Sequence, residues 1–532
     1  MATAPRPLIL IRGFGGPDVQ DEQRDAYQGF NNGTVYPERR GDNFIYEGFV
    51  LRALKSSAYP YRDATNVVTY HSGELPAPDQ TDGWPAEFLH GSIVVDVPMA
   101  RQVIGQGVAG TLWVYRYYDL VPRGIERYGE GLARLLDVIR LGAERAGEEF
   151  TGVDIVAHSM GGLVARAALD RRTEEVNQQL VHRLVTLGTP HRGIAFQVLP
   201  DWLTQSLPMA MRDELAAFST RRTDAQAIPF PAPRILTVVG TDFRAYGSKF
   251  ASAGNRVATL LDEGTLAYNR SDGLVKQAAA QLPGSPRTFV HKCHGGRDSL
   301  VTSREAYEIA MRFFHGTHHL RLRLDRAEVK RGGDFFGKSE FYFGVSIKPR
   351  YFDFDLFHQS AEAQNCYGPF SRTDLADRLP DLADELTKPL ADQTAGSWAG
   401  PDRLVWEGWV DARAKPSGPR DQDLVFRVDV YVGERDTFGV GFSDNVVFRK
   451  QYYVQALLDP AGGAPELYLH TGEKYLTPDV APETLRQAAE QSPAEVLRMR
   501  RTADGAPDTW EFPVDGTGFS AAMAVSMTPD KG

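Results

Sequence analysis

Residues 157–162 read Ala-His-Ser-Met-Gly-Gly and follow directly on the apolar run Val153-Asp154-Ile155-Val156. A run of this kind, with a helical stretch at 163–169 beyond it, predicts a strand that turns sharply into a helix with Ser159 at the tip. Ala157 and Gly161, two positions to either side, are small enough for the arms of the turn to pass without side chains colliding. A serine displayed in this way projects from the end of a sheet, and the rest of the sequence must supply the strands that build one.

Short apolar runs alternate with helical patterns as far as about residue 315. Strands are expected at Leu8–Ile11, 67–70, 112–117, 153–157, 184–187, 235–239 and 288–290. Between them, Leu132, Leu135, Leu136, Ile139 and Ala143 recur at helical spacing and predict a helix over Ile125–Ala146. A second helix is expected at 303–314, opened by the capping pattern Thr302-x-x-Glu305 and stopped at Gly316. Alternation of this type predicts an α/β class fold, a mostly parallel sheet covered by helices on both faces. The segment 196–233 fits neither element type; its Leu203, Leu207, Met211, Leu215 and Phe218 make either a packed insertion helix or a mobile cap.

After Gly316 the texture changes. Runs at 319–324, 341–348, Leu404–Val410, 424–432, 446–454 and 521–526 read as strands, several alternating apolar with polar residues between Gly-, Pro- and Asp-rich loops. Two domains are therefore expected, 1–316 of α/β type and 317–532 all-β, the second a sandwich with an ill-defined stretch at 373–402 and an irregular or helical segment near 480–502. Chain length allows each its own core.

A hydrophobic fraction of 42% and a charged fraction of 24% are those of a globular protein. With a net charge of −10 and no Lys/Arg cluster, the summed field gives no reason to expect a nucleic-acid partner. No apolar stretch approaches the ~18 residues of a membrane span. The N-terminus Met-Ala-Thr-Ala-Pro-Arg-Pro precedes only four apolar residues, so a standard secretory signal is not expected and the location is cytoplasmic or reached by another export route. Cys293 and Cys366 cannot form a disulfide framework, and two buried thiols are expected.

A serine hydroxyl becomes a useful nucleophile only when a base takes its proton and a third group orients that base. Downstream of Ser159 the chain supplies Arg270-Ser271-Asp272-Gly273-Leu274-Val275 and then His291-Lys292-Cys293-His294-Gly295-Gly296. Asp272 is the expected acid, with Asp242 as substitute; His294 is preferred over His291 because it lies beyond the last strand, in a loop able to fold back. The order Ser, Asp, His is that of an α/β-hydrolase.

The sequence resembles the bacterial lipase and esterase branch of the α/β-hydrolases, including deacylase-like members, over roughly residues 8–315. Four motifs carry the likeness: Leu10-Ile11-Arg12-Gly13-Phe14-Gly15-Gly16, Ala157-His158-Ser159-Met160-Gly161-Gly162, Thr186-Leu187-Gly188-Thr189-Pro190-His191-Arg192-Gly193 and Ser271-Asp272-Gly273-Leu274-Val275. The resemblance implies Ser159 as nucleophile, His294 as base, Asp272 as orienting acid, and an oxyanion hole from the backbone N–H groups of Phe14 and Met160. Arg12 stands where such proteins often carry His, and Ala157 where Gly is commoner. Neither change removes a main-chain donor.

The implied activity is hydrolysis of carboxylic esters, with an ester or lipid as substrate partner and no metal or organic cofactor. Transfer to another acceptor or amide cleavage would use the same three groups, and a non-catalytic lipid- or protein-binding scaffold is the contrasting expectation. His158 and His191 read as structural, His158 pointing away from the nucleophile, and Gly161 and Gly162 as packing residues. In the β domain, Gly433-Glu434-Arg435-Asp436 and Asp444 form an acidic stretch of the sort that can hold calcium, although a solvated loop is favoured. A faint likeness to C2-type sandwiches raises contact of that domain with a lipid surface.

Overall fold

The computed structural model describes residues 4–13, 47–69, 93–95, 105–117, 124–192, 213–214, 228–243, 270–295, 298–330, 340–350, 352–370, 403–413, 423–435, 445–459, 461–477, 480–502 and 508–530. Two compact units emerge: Met1–Ala258 with Ser271–Pro286 and Lys292–Ala310, and Thr259–Arg270 with Arg287–His291 and Met311–Gly532.

In the first unit, β1 (Leu8–Ile11), β2 (Arg62–Thr69), β4 (Thr111–Arg116), β5 (Val153–His158), β6 (Val181–Leu187) and β7 (Ile235–Gly240) form a parallel array in the spatial order β2-β4-β1-β5-β6-β7. A short strand β3 (Ile93–Val95) pairs antiparallel with β2. Every residue of β1, β5 and β6 is buried, as expected for strands covered on both faces. From β1 the chain builds outward to β4 and β2 on one side, and from β5 to β6 and β7 on the other. Neighbouring strands β1 and β5 thus mark the point at which the strand order reverses. This is an α/β-hydrolase fold, and the expected fold class stands.

Helix α1 spans Glu47–Lys55 and α2 spans Ile125–Ala146, the predicted bounds of the latter. α2 buries Leu132, Leu135, Leu136, Ile139 and Ala143 together and ends on Gly147 at φ 67°, a left-handed cap. Its first amides, Ile125 and Glu126, donate to the Glu214 carboxylate, which burial holds above its usual range. Apart from Asp213, Glu214 and residues 228–233, the segment expected as insertion helix or cap lies outside the described residues. α3 (Met160–Leu169) is buried along its whole length, and α4 (Glu174–Leu180) leads into β6. α2 crosses α3 where a Cβ at Gly129 would lie 2.6 Å from Ala167 Cβ and 2.8 Å from its carbonyl carbon.

Helix α5 (Arg304–His315) is capped differently from expectation. Ser303 Oγ accepts from the Ala306 amide at 3.1 Å, whereas Thr302 Oγ1 is occupied by the Ser299 turn. Ser303 therefore does the capping one residue later than the motif suggested.

In the second unit, strand β8 (Arg287–Val290) is followed by two antiparallel sheets. One runs in the order β11 (Tyr367–Phe370), β10 (Glu340–Pro349), β13 (Asp423–Arg435), β14 (Asn445–Leu457), β15 (Glu466–His470), β16 (Val496–Arg498). The other runs β12 (Leu404–Val410), β9 (His318–Val329), β19 (Phe519–Pro529), β18 (Thr509–Asp515), β17 (Arg500–Arg501). Phe519 of β19 meets Phe343 of β10 at 6.1 Å and Phe448 of β14 at 5.4 Å between ring centroids, so the sheets face each other as a sandwich. The segment near 480–502 is helical only over α6 (Pro482–Gln491); beyond it the chain forms β16 and β17. The stretch 373–402, Asp436 and Asp444 lie outside the described residues. No helix among the described residues is long and apolar enough to cross a membrane.

Close helix contact at Gly129 makes a direct prediction. Gly129→Val should destabilise the protein by about 1–3 kcal/mol through overpacking, read as a lower midpoint of urea unfolding; an unchanged midpoint would contradict the packing described.

Candidate active site

Ser159 follows the last residue of β5 and caps α3 with φ 53° and ψ −127°, a conformation L-residues avoid. Its amide donates to Leu187 O on β6 at 2.9 Å, and its carbonyl accepts from Gly162 N at 3.1 Å. Side chains are excluded around it. A Cβ at Gly13 would lie 2.8 Å from Ser159 Cβ, one at Gly161 2.5 Å from Arg12 O, and one at Gly162 2.2 Å from Thr189 Oγ1. The packing role expected of Gly161 and Gly162 is thus visible as backbone and side-chain approach.

Asp272 sits in a tight loop in which its amide donates to Val275 O at 3.1 Å. One carboxylate oxygen, Oδ1, accepts from Leu274 N at 3.1 Å and Val275 N at 2.7 Å, which fixes the group's rotation. Its other oxygen, Oδ2, faces His294 Nδ1 at 2.8 Å. Glycines at the ends of β6 and β7 make room for it: a Cβ at Gly188 would come within 2.8 Å of Asp272 Oδ2, and one at Gly240 within 2.7 Å of Asp272 Cβ.

His294 lies beyond β8 in a loop closed by Cys293 N to Asp298 O at 3.2 Å and Leu300 N to Cys293 O at 2.9 Å. The His294 amide donates to Asp272 O at 2.8 Å, and Nε2 faces Ser159 Oγ at 2.8 Å. A carboxylate can only accept, so Nδ1 carries the proton and Nε2 presents its lone pair to the serine hydroxyl. This is the tautomer a base needs. Ser159, Asp272 and His294 are 7%, 1% and 3% exposed, so little water competes for these bonds. The structure thus brings together the three side chains singled out in the sequence.

The alternatives lie elsewhere. His291 lies beside His358, ring centroids 5.9 Å apart and tilted by 46°, and Asp242 donates its amide to Lys292 O at 3.2 Å. His191 is buried among Arg166 and Thr186, with Nε2 3.0 Å from Thr186 Oγ1; burial, and then the Arg166 charge, push it well below the usual imidazole range. Met160 opens α3, where its amide belongs to the helix N-terminus, while Phe14 lies outside the described residues.

His158 departs from expectation. Instead of pointing away, its Nε2 lies 2.9 Å from the main-chain oxygen of His294, and the two rings stand 4.9 Å apart at 40°. Only the turn geometry places it there, and no sequence pattern encodes that direction.

Both cysteines are free and buried. Cys293 Sγ is 3.0 Å from Gly295 O and 2.9 Å from Asp298 O. Burial, reinforced by Asp272, Asp242 and Asp298, pushes its thiol up to about 12, and burial takes Cys366 up to about 12 against a lowering influence of Arg270.

Residues 126–224 match the family described as the PGAP1-like alpha/beta domain, a stretch containing Ser159 but neither Asp272 nor His294. Among curated proteins, none matches the chain significantly. The product of the gene lin2722 from Listeria innocua aligns at 12% identity over 58% of this chain and 94% of its own, with a TM-score of 0.33. Phospholipase PlaB from Legionella pneumophila, in complex with thio-NAD, aligns at 11% identity over 72% of this chain and 91% of its own, with a TM-score of 0.28. At such scores the fold assignment rests on the strand order and the elbow themselves. The parallel layer with its strand-turn-helix elbow is α/β-hydrolase-like, and the C-terminal region is all-β.

Because thiolate forms only near pH 12, neither cysteine should react with iodoacetamide at pH 8 while the protein is folded, and both should react in urea. Mass spectrometry of the alkylated chain reads this directly; rapid labelling of the native protein would contradict the burial.

Proposed function

We infer that this protein is a serine hydrolase of carboxylic esters, acting through an acyl-enzyme on Ser159. One observation carries the reading: the unbroken line of bonds from Asp272 Oδ2 through His294 to Ser159 Oγ, with both contacts at 2.8 Å. In the reaction, Oγ attacks the ester carbonyl while Nε2 of His294 takes the hydroxyl proton. Asp272 holds the resulting imidazolium in place and stabilises its charge. The same Nε2–H then protonates the departing alkoxide as the carbonyl re-forms. Water, deprotonated by His294, adds to the acyl-enzyme, and Ser159 leaves with its proton restored. The amides of Met160 and Phe14 are assigned to the developing oxyanion, where one such donor is typically worth about 3 kcal/mol.

The substrate class proposed is an acyl ester of a lipid or lipid-like molecule, as the sequence resemblance implies. Expected outcomes are loss of nitrophenyl ester turnover in Ser159→Ala, and a loss on the order of 10⁴-fold in kcat for Asp272→Asn, whose amide would stabilise the wrong tautomer. A fluorophosphonate should label one peptide, that containing Ser159. Turnover retained by Ser159→Ala, or label on another peptide, would refute the assignment.

A further inference from the structure

Each of the four polar groups of His294 has a partner, and three residues supply them. Asp272 takes the main-chain N–H at 2.8 Å and Nδ1 at 2.8 Å. Ser159 meets Nε2 at 2.8 Å, and the main-chain carbonyl faces Nε2 of His158 at 2.9 Å. Two tethers thus come from the acid and two from consecutive residues of the elbow.

The His158 contact has a defined polarity. A carbonyl oxygen only accepts, so His158 Nε2 must carry a hydrogen. Burial first, then the neighbouring His294 and the Arg12 charge, push the His158 imidazole well below its usual range, which keeps it neutral with a single N–H. Its Nδ1 edge is confined too, since a Cβ at Gly13 would lie 3.0 Å from that atom. With the ring 6% exposed and packed against the His294 ring, there is little room to rotate.

We propose that His158 is a positioning residue: its Nε2–H ties the loop bearing the imidazole to the strand bearing the serine, fixing the Nε2–Oγ separation before substrate arrives. The inference rests on the reading of Ser159 and His294 given above, and extends it to a residue that touches neither substrate nor reacting atom. The tether matters because the imidazole is carried by a loop, not by a strand or helix. Among the described residues, its links to the elbow include the reactive contact itself and this bond. The reactive contact is broken and remade in every turnover, whereas the His158 bond involves no transferred proton and can persist throughout.

The test uses the full chain as wild type, His158→Phe, which keeps a ring and loses the donor, and His158→Gln, whose amide N–H reaches the place of Nε2–H. Activity on a soluble nitrophenyl ester and the rate of fluorophosphonate labelling are measured alongside the urea midpoint. Expected for His158→Phe is a kcat lower by roughly 10- to 100-fold with KM little changed, and labelling slowed by the same factor, as for a sub-ångström misplacement of reacting groups. His158→Gln should recover most of the lost rate. Should His158→Phe match wild type, or His158→Gln be as slow as His158→Phe at an equal urea midpoint, the positioning role is overturned. So it is if KM moves and kcat does not. Wild-type protein that fails to label at Ser159 removes the reading of the site itself, a result distinct from labelling that proceeds but ignores residue 158.

Discussion

Holding Ser159 at φ 53° and ψ −127° costs roughly 1–3 kcal/mol relative to ordinary backbone, and the surrounding structure must over-determine it. Strand β5 does so from below, paired in parallel with β1 on one side and β6 on the other. Helix α3 does so from above, buried along its length. The glycines at 13, 161 and 162 then follow from sterics, because each hypothetical Cβ would come within 2.8 Å of a neighbour. Once the bend is fixed, the Ser159 side chain leaves the backbone at a set position, and the loops carrying Asp272 and His294 need only reach it.

They reach it because the parallel strands end at one edge. Asp272 follows β7 and His294 follows β8, and each loop combines main-chain bonds of its own with the His294 N to Asp272 O bond that joins the two at 2.8 Å. The carboxylate shows the economy of this arrangement: one oxygen locks its own loop and the other locks the imidazole. The second unit is built on different physics. Long antiparallel pairs, such as β13 with β14 from Asp423↔Leu457 to Glu434↔Asn445, keep regular alternation where one face is wet, as in β9. β10 loses that alternation because residues 359–366 lie against its other face: Ser346 Oγ donates to Gln359 O at 3.3 Å, and a Cβ at Gly344 would come within 2.9 Å of Cys366 Sγ.

Much of this was legible in the sequence where a local pattern maps onto a local shape. The elbow, the apolar strand at Leu8–Ile11 and the helix Ile125–Ala146 are written in contiguous residues. Asp272 and His294 were identifiable because each sits beside glycine in a loop after an expected strand. Strand β3 is not legible because three residues carry no periodicity, and β15 because Glu466–His470 is short. Thr302 and Ser303 are both plausible caps in a sequence; which one faces the helix is decided by the Ser299 turn. The direction of His158 was misread for a related reason. Strand alternation ceases to predict side-chain direction at the last residue before a positive-φ turn.

The hydroxyl of Ser159 and the imidazole of His294 are 135 residues apart in the chain yet 2.8 Å apart in space. On a translating ribosome, the serine would therefore emerge long before the ring that is to meet it has been synthesised. Until strands β6 and β7 have joined the sheet and the loop beyond β8 has closed, the growing polypeptide carries only an ordinary alcohol. Pairing of that hydroxyl with the imidazole is thus a report that the nascent α/β layer has been completed.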